Sequence, residues 1–203
     1  ALNPDDDTMN FARYEGKGID IRELSQKKLR DSLGYVPQKG VLFSGTIRSN
    51  LKFGGDEISD EDMKYAAEIA QASDFIEAKP SKFESPVSQD GTNVSGGQRQ
   101  RLSIARAIAK KPKVFLFDDS FSALDYKTDA TLRHALDEHI GEATKLIVAQ
   151  RISTIMHAEQ IIVLDEGNVV GIGTHSELME RCETYREIAH SQLSKAELEG
   201  GAL

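Results

Sequence analysis

Asn93-Val94-Ser95-Gly96-Gly97-Gln98-Arg99-Gln100-Arg101 sets two glycines and a hydroxyl at the mouth of a long amphipathic segment. Leu102, Ile104, Ala105, Ala107, Ile108 and Ala109 follow with helical spacing, which predicts a helix with a broad apolar stripe. Two structures are open to the turn before it. Ser95 can offer its hydroxyl, and Gly96 and Gly97 lack the side chains that would keep a phosphate from main-chain N–H groups. The positive end of the helix would then favour an anion. Alternatively, Ser-Gly-Gly is only a flexible turn.

Downstream, Lys113-Val114-Phe115-Leu116-Phe117 is a continuous apolar run, as expected of a strand buried on both faces in a parallel sheet under helices. Asp118 and Asp119 follow at its C-terminal end, where open α/β sheets bind ligands. A pair of acids there can also serve as a helix cap or a solvated turn. Ser122-Ala123-Leu124-Asp125 forms the next loop, and Asp129 to His139 is amphipathic. Thr144 to Ala149 predicts another strand, ending in Gln150-Arg151. Ile161 to Leu164 and Val169 to Ile172 flank Asp165-Glu166-Gly167-Asn168, a hairpin signal. Thr174 with Glu177 is a capping box for a helix from about His175 to Cys182, with more helix to about Gln192.

Upstream, Ile19-Asp20-Ile21 is short and strand-like, Ser25 to Ser32 can make a helical turn, and Gly34 to Gln38 is a strand that stops at Pro37. Gln38 opens a loop, and on its own would be an exposed polar residue. Ile47 to Leu51 predicts a short helical piece. Residues 59 to 79 predict a surface helix capped by Ser59, with acids in its first turn, and a second short helix is expected over Ala72 to Ile76. Pro80 to Asn93 has no period and predicts a loop.

Composition narrows the function. The 203 residues suit one domain with a lobe, and the 25 basic against 33 acidic residues, a formal charge of -8, argue against a nucleic-acid partner. One cysteine, Cys182, allows no internal disulfide. No run of about 18 apolar residues occurs, so any membrane part lies elsewhere.

Taken in order, Gln38 after a strand, the Val94-Ser95-Gly96-Gly97-Gln98 turn, the apolar strand ending in Asp118-Asp119, the Ser122 to Asp125 loop and Gln150 at a strand end resemble the nucleotide-binding domain of an ABC transporter. Pro37-Gln38, Leu42-Phe43-Ser44-Gly45-Thr46-Ile47 and Val163-Leu164-Asp165-Glu166-Gly167 are similar to its exporter branch. The resemblance implies an α/β fold: a P-loop NTPase-like ABC ATPase core with a mixed β-sheet and a helical signature subdomain. It implies ATP and Mg²⁺ as cofactors. Asp118 would hold Mg²⁺ through water, Gln38 would sense metal and nucleotide, and Asp125 would cross to a second domain. Ser95, Gly96, Gly97 and Gln98 would meet nucleotide bound by that second domain. The partners implied are a second ABC nucleotide-binding domain and a transmembrane domain, on the cytoplasmic side of the cell membrane.

Three departures from the family pattern shape the expectation. The position after the Mg²⁺ acid is normally Glu, which orients the attacking water, and here it is Asp119, with roughly 1.5 Å less reach; misplacement of about 1 Å can cost on the order of a hundredfold in rate. The switch-loop position is normally His, and here it is Gln150, whose amide cannot become a cation near neutral pH. Lastly, no G-x-x-x-x-G-K-[ST] phosphate loop occurs in the 203 residues, so the chain as given is expected to bind ATP weakly or not at all and to be inactive in isolation, acting as a transport ATPase only as part of a dimer. The place of that loop would be upstream of Ile19, and Thr8 to Gly16 resembles pieces of the helix after it with residues missing. The expected organisation is a remnant over 1–18, a core over 19–54 and 111–193, a helical lobe over 55–110 and a tail over 194–203. The chain resembles the degenerate-site subunit of a bacterial heterodimeric multidrug exporter, with Asp119 and Gln150 as weakened catalytic residues and an intact signature serving the partner. An ordinary homodimeric exporter domain and a soluble ABC protein are the alternatives.

Overall fold

The computed structural model describes residues 25–55 and 57–193, with Arg22. The expectations for 1–18, for the Ile19 to Ile21 strand and for 194–203 lie outside the described residues.

The chain opens with α1 (Gln26–Ser32), whose first turn is capped by the Ser25 hydroxyl accepting from the Lys28 N–H. It runs into β1 (Leu33–Val36), then β2 (Gly45–Thr46) and α2 (Ile47–Leu51). The surface helix expected over 59 to 79 is α3 (Asp60–Ile69), and the second short helix expected over Ala72 to Ile76 is α4 (Ser73–Glu77). Gln71 separates them with a φ of 55°, a left-handed residue that ends a helix, and its carbonyl accepts from Arg101 Nη1 at 2.6 Å. The expected loop of 80 to 93 includes β3 (Pro86–Val87), antiparallel to β2. Then come α5 (Gly96–Ala109), β4 (Val114–Asp118), α6 (Tyr126–His139), β5 (Thr144–Val148), α7 (Ile152–Ile155), β6 (Ile161–Asp165), β7 (Asn168–Gly173), α8 (His175–Arg181) and α9 (Glu183–Gln192).

Strands β1, β4 and β5 form a parallel sheet in that order, with β4 central. Among the described residues the antiparallel pairings, β2 with β3 and β6 with β7, are separate two-stranded sheets. Between β6 and β7 the chain turns through Glu166 at φ 46° and Gly167 at φ 81°. Positive φ at both central residues is what a tight hairpin turn requires.

Alternation along β4 points Phe115 and Phe117 into the core, where Phe117 also packs on Phe121. Each such ring contributes about 1.5–3 kcal/mol by burial. One continuous apolar cluster joins these rings to α2, α3, α5 and α6 through Leu51, Met63, Leu102, Ile104 and Leu132. The opposite face departs from the expectation of full burial: Tyr35 and Leu146, which flank half-buried Leu116, are 57% and 56% exposed, because no described element covers them. A second cluster, with Ile152, Ile161, Val163, Leu178, Tyr185 and Ala189, fastens the hairpin, α8 and α9.

Candidate functional site

Asp118 closes β4, and the next residue leaves the strand abruptly: Asp119 has a φ of 44°, a left-handed conformation that Asp tolerates better than most residues. Its backbone is pinned on both sides. The Asp119 N–H donates to the Val148 carbonyl at 2.8 Å, and its own carbonyl accepts from Ser122 Oγ at 2.9 Å. The turn gives the two acids different neighbours. Asp118 Oδ2 accepts from the Tyr35 hydroxyl at 3.2 Å, and desolvation together with Asp118 pushes that phenol up. Asp119 Oδ2 accepts from Gln38 Nε2 at 3.1 Å and from Gln150 Nε2 at 3.3 Å. Asp119 is only 9% exposed, so its carboxylate gains from both donors. Gln38, Asp119 and Gln150 thus converge just beyond the C-terminal ends of the three parallel strands, where open α/β sheets place their ligands.

Each arm of this triad is held from behind. Ser120 Oγ donates to the Val36 carbonyl at 2.8 Å, tying the β4 turn to β1. Gln100, 2% exposed on α5, accepts from the Gly40 N–H at 2.8 Å and donates to the Pro37 carbonyl at 3.1 Å, clamping the Gln38 loop from both sides. Farther along, Arg106 donates to the Asn50 and Val41 carbonyls and lies over the rings of Phe43 and Phe53. Burial pulls its guanidinium down to about 10, still a cation at neutral pH. The Gln150 carbonyl and the Ile152 N–H are both held by the Gln192 carboxamide.

The Ser95 to Gln98 turn is built differently. The Ser95 hydroxyl accepts from the Gln98 N–H and Gln98 Oε1 accepts from the Ser95 N–H, each at 3.2 Å, a reciprocal capping box on α5. A side chain at Gly96 would meet nothing within 4 Å, whereas one at Gly97 would lie 3.6 Å from the Ala123 carbonyl oxygen. The turn therefore rests on the Ser122 to Asp125 loop and presents Gly96 outward. Asp125 itself caps α6: its carboxylate accepts from the Thr128 N–H at 3.0 Å and the Thr128 hydroxyl at 2.7 Å, and these bonds hold it below the usual carboxylate range.

Among the described residues no group of three or more His, Cys, Asp or Glu side chains could hold a metal ion. The side-chain oxygens at the site are those of the Asp118 and Asp119 carboxylates, the Gln38 and Gln150 carboxamides and the Tyr35 hydroxyl. Such a sparse, hard set suits Mg²⁺, which keeps several waters and is bound through one or two carboxylates plus substrate phosphates. The donors fit an ion carried in with a nucleotide.

The sequence profile of the ABC transporter family matches residues 4–122, more than half of the chain. This chain belongs to the ABC transporter family. An uncharacterized ABC transporter ATP-binding protein of Mycobacterium tuberculosis is 44% identical over 186 residues, covering 90% of this chain and 32% of that protein. The ATP-dependent lipid A-core flippase of Saccharophagus degradans is 39% identical over 177 residues, covering 87% and 30%. A solved bacterial Atm1-family ABC exporter with ATP bound matches with a TM-score of 0.83 and 36% identity, over 88% of this chain and 31% of that one. The fold is thus the ABC ATPase fold of exporters. The chain spans about a third of the length of these relatives. No helix among the described residues is long and apolar enough to cross a membrane.

Within this ABC domain, Asn50, Gln100, Arg106 and Gln192 escaped the sequence analysis. A signal was present for two of them. Gln100 falls in register with Ile104 and Ala107 on the buried face of α5, and Gln192 in register with Tyr185, Ile188 and Ala189 on α9. Gln100 is buried, so its amide needs partners, whereas Gln192 is exposed; in both cases the partners found are loop backbone atoms.

Proposed function

We propose that this chain is the nucleotide-binding domain of an ABC exporter whose own site holds Mg·ATP with little turnover while its Ser95 to Gln98 turn completes the active site of a partner. The observation that carries the proposal is the setting of Asp119: its short carboxylate lies between two neutral amides, Gln38 and Gln150. A residue that activates water needs reach and a proton acceptor poised near the reacting atoms. Asp119 is short of that reach, and Gln150 can hydrogen-bond a phosphate but supplies no cation. Both changes slow the chemistry without removing the capacity to hold metal and phosphate.

In this function Asp118 and Gln38 hold Mg²⁺ partly through water, and Asp125 lies at the interface between the two domains. Residues 55–110 form the signature-bearing lobe, and 19–54 with 111–193 the core. The phosphate cradle that tight ATP binding needs is not among these 203 residues. The partners are a second, different ABC domain and a transmembrane domain, the whole lying at the cytoplasmic face of the membrane and moving substrates of the multidrug class. The likeness to an ABC exporter and to a lipid A-core flippase supports export, and the outward-facing Gly96 supports service to a second domain.

Two substitutions in the assembled transporter test the division of labour. Asp119→Ala should leave most ATP hydrolysis intact, while Ser95→Arg should lower it on the order of a hundredfold by displacing the transition-state contacts of the partner's site. The reverse pattern assigns the working site to this chain. Robust turnover by a preparation of this subunit alone would favour the homodimeric alternative.

A further inference from the structure

Gln192 sits in the last turn of α9, far in sequence from the Gln38, Asp119 and Gln150 triad, yet it is bonded to the backbone that carries Gln150. Its Nε2 donates to the Gln150 carbonyl at 2.8 Å, and its Oε1 accepts from the Ile152 N–H at 2.9 Å. The two bonds straddle Arg151 and make one carboxamide a partner for both sides of the loop. They also meet a local need. The first N–H of α7 belongs to Ile152, and Arg151, at the cap position, makes no side-chain capping bond. Helix starts leave such donors unsatisfied, and Gln192 satisfies this one from 40 residues away.

The anchor behind Gln192 is firm. Tyr185, Ala189 and Leu193 of the same stretch are buried in the second apolar cluster, and Ile152 joins that cluster from the loop side. The α9 backbone that carries Gln192 is therefore fixed by packed neighbours, and from it the exposed Gln192 side chain reaches back to the loop, so the Gln150 carbonyl cannot drift without losing Gln192. Gln150 in turn places its side-chain amide on Asp119. We propose that Gln192 is a positioning residue: through the carbonyl of Gln150 and the first amide of α7, the C-terminal helix sets the reach of Gln150 to Asp119 and hence how long the site retains nucleotide. The proposal rests on the function proposed above.

The test uses the assembled transporter loaded with radiolabelled Mg·ATP, reading the release rate of the slowly exchanging nucleotide. Gln192→Glu keeps the shape and the bond to the Ile152 N–H but turns an acceptor toward the Gln150 carbonyl. Gln192→Met keeps the volume and removes both bonds. Each should speed release about threefold to tenfold, the scale of one or two hydrogen bonds. In the background of Gln150→Ala the same substitutions should add little, because they act through that side chain. A purely structural role predicts a lower unfolding midpoint in both variants and a full effect on release even without the Gln150 amide. Unchanged release in both variants, or full additivity with Gln150→Ala, overturns the inference. A parent transporter with no slowly exchanging ATP overturns the proposed function itself, before any Gln192 variant is made.

Discussion

The Gln100 carboxamide is satisfied at both ends by loop backbone, accepting from Gly40 and donating to the Pro37 carbonyl, so the position of Gln38 depends on a side chain of α5. Space is tight there as well: a side chain at Gly40 would lie 3.0 Å from both the Arg99 carbonyl oxygen and Gln100 Oε1. Removing Gln100 leaves the Gly40 N–H without its acceptor, and an unsatisfied buried donor costs about 1–3 kcal/mol. Gln100→Ala is therefore expected to lower the urea midpoint by that amount of stability, read by denaturation with an unchanged slope. A loss below about 0.5 kcal/mol would mean that water replaces the amide at no cost. The same substitution should loosen Gln38 and Asp119 together, since Gln38 reaches Asp119 only from a fixed loop. At this scale the sequence shows which residue types gather at the site, because Gln38, Asp118, Asp119 and Gln150 each fall at or within two residues of the end of a strand. It does not show the residues behind them, whose role depends on which loop lies across the helix.

Helix starts were legible because capping is local: Ser59 and Thr174 each accept from the N–H three residues on, as their spacing to Asp62 and Glu177 implies, while the Ser95 hydroxyl, read as free to meet a phosphate, accepts from the Gln98 N–H as a cap. The hairpin was legible for a similar reason. The second helix of the lobe was legible, but not the Arg101 contact from another helix that fixes the break at Gln71, and the two-residue strands β2 and β3 are too short to show any period. Between α8 and α9 the decisive contact is again nonlocal. His175 Nδ1 and the Tyr185 hydroxyl are 2.8 Å apart, their rings meeting edge to face. Burial, and after it the charge of His157, lowers the His175 imidazole from 6.5, while burial raises the Tyr185 phenol to about 12. A histidine whose pKa is depressed on folding binds fewer protons in the folded state than in the unfolded one. Stability from this group is therefore full above the unfolded value of 6.5 and is lost as pH falls through 6.5 toward the lower folded value. The unfolding midpoint should drop between pH 7.5 and pH 5.5, and His175→Asn, which cannot titrate, should flatten that part of the curve. An equally steep curve in the variant would move the proton uptake to another group.

For the whole molecule, the face of the parallel sheet that no described residue covers is the feature with the largest consequence. Tyr35 at 57%, Leu146 at 56% and Val148 at 54% exposure lie on that face, and β5 ends the sheet with its outer edge unpaired among the described residues. Beside that edge, on the other face, opens a cleft of about 720 Å³ with Phe121, Leu136 and Ile147 in its wall. The β6–β7 hairpin adds Ile162, Leu164 and Ile172, all exposed. An apolar face beside an open strand edge is a template for pairing with another chain, and surfaces of this kind promote association unless covered. The formal charge of -8 opposes association only weakly at physiological salt, where charges about 8 Å apart are already screened. Prepared alone, the 203-residue chain is expected to self-associate at micromolar concentration, seen as a rising mass in light scattering, and to bind a hydrophobic dye while folded. Leu146→Lys should reduce both signals without lowering the unfolding midpoint, since the side chain is mostly in solvent and a charge on an edge strand disfavours pairing. A monodisperse monomer at about 100 µM, with no dye binding, would overturn this expectation, because an open edge beside an apolar sheet face of this extent promotes association in water.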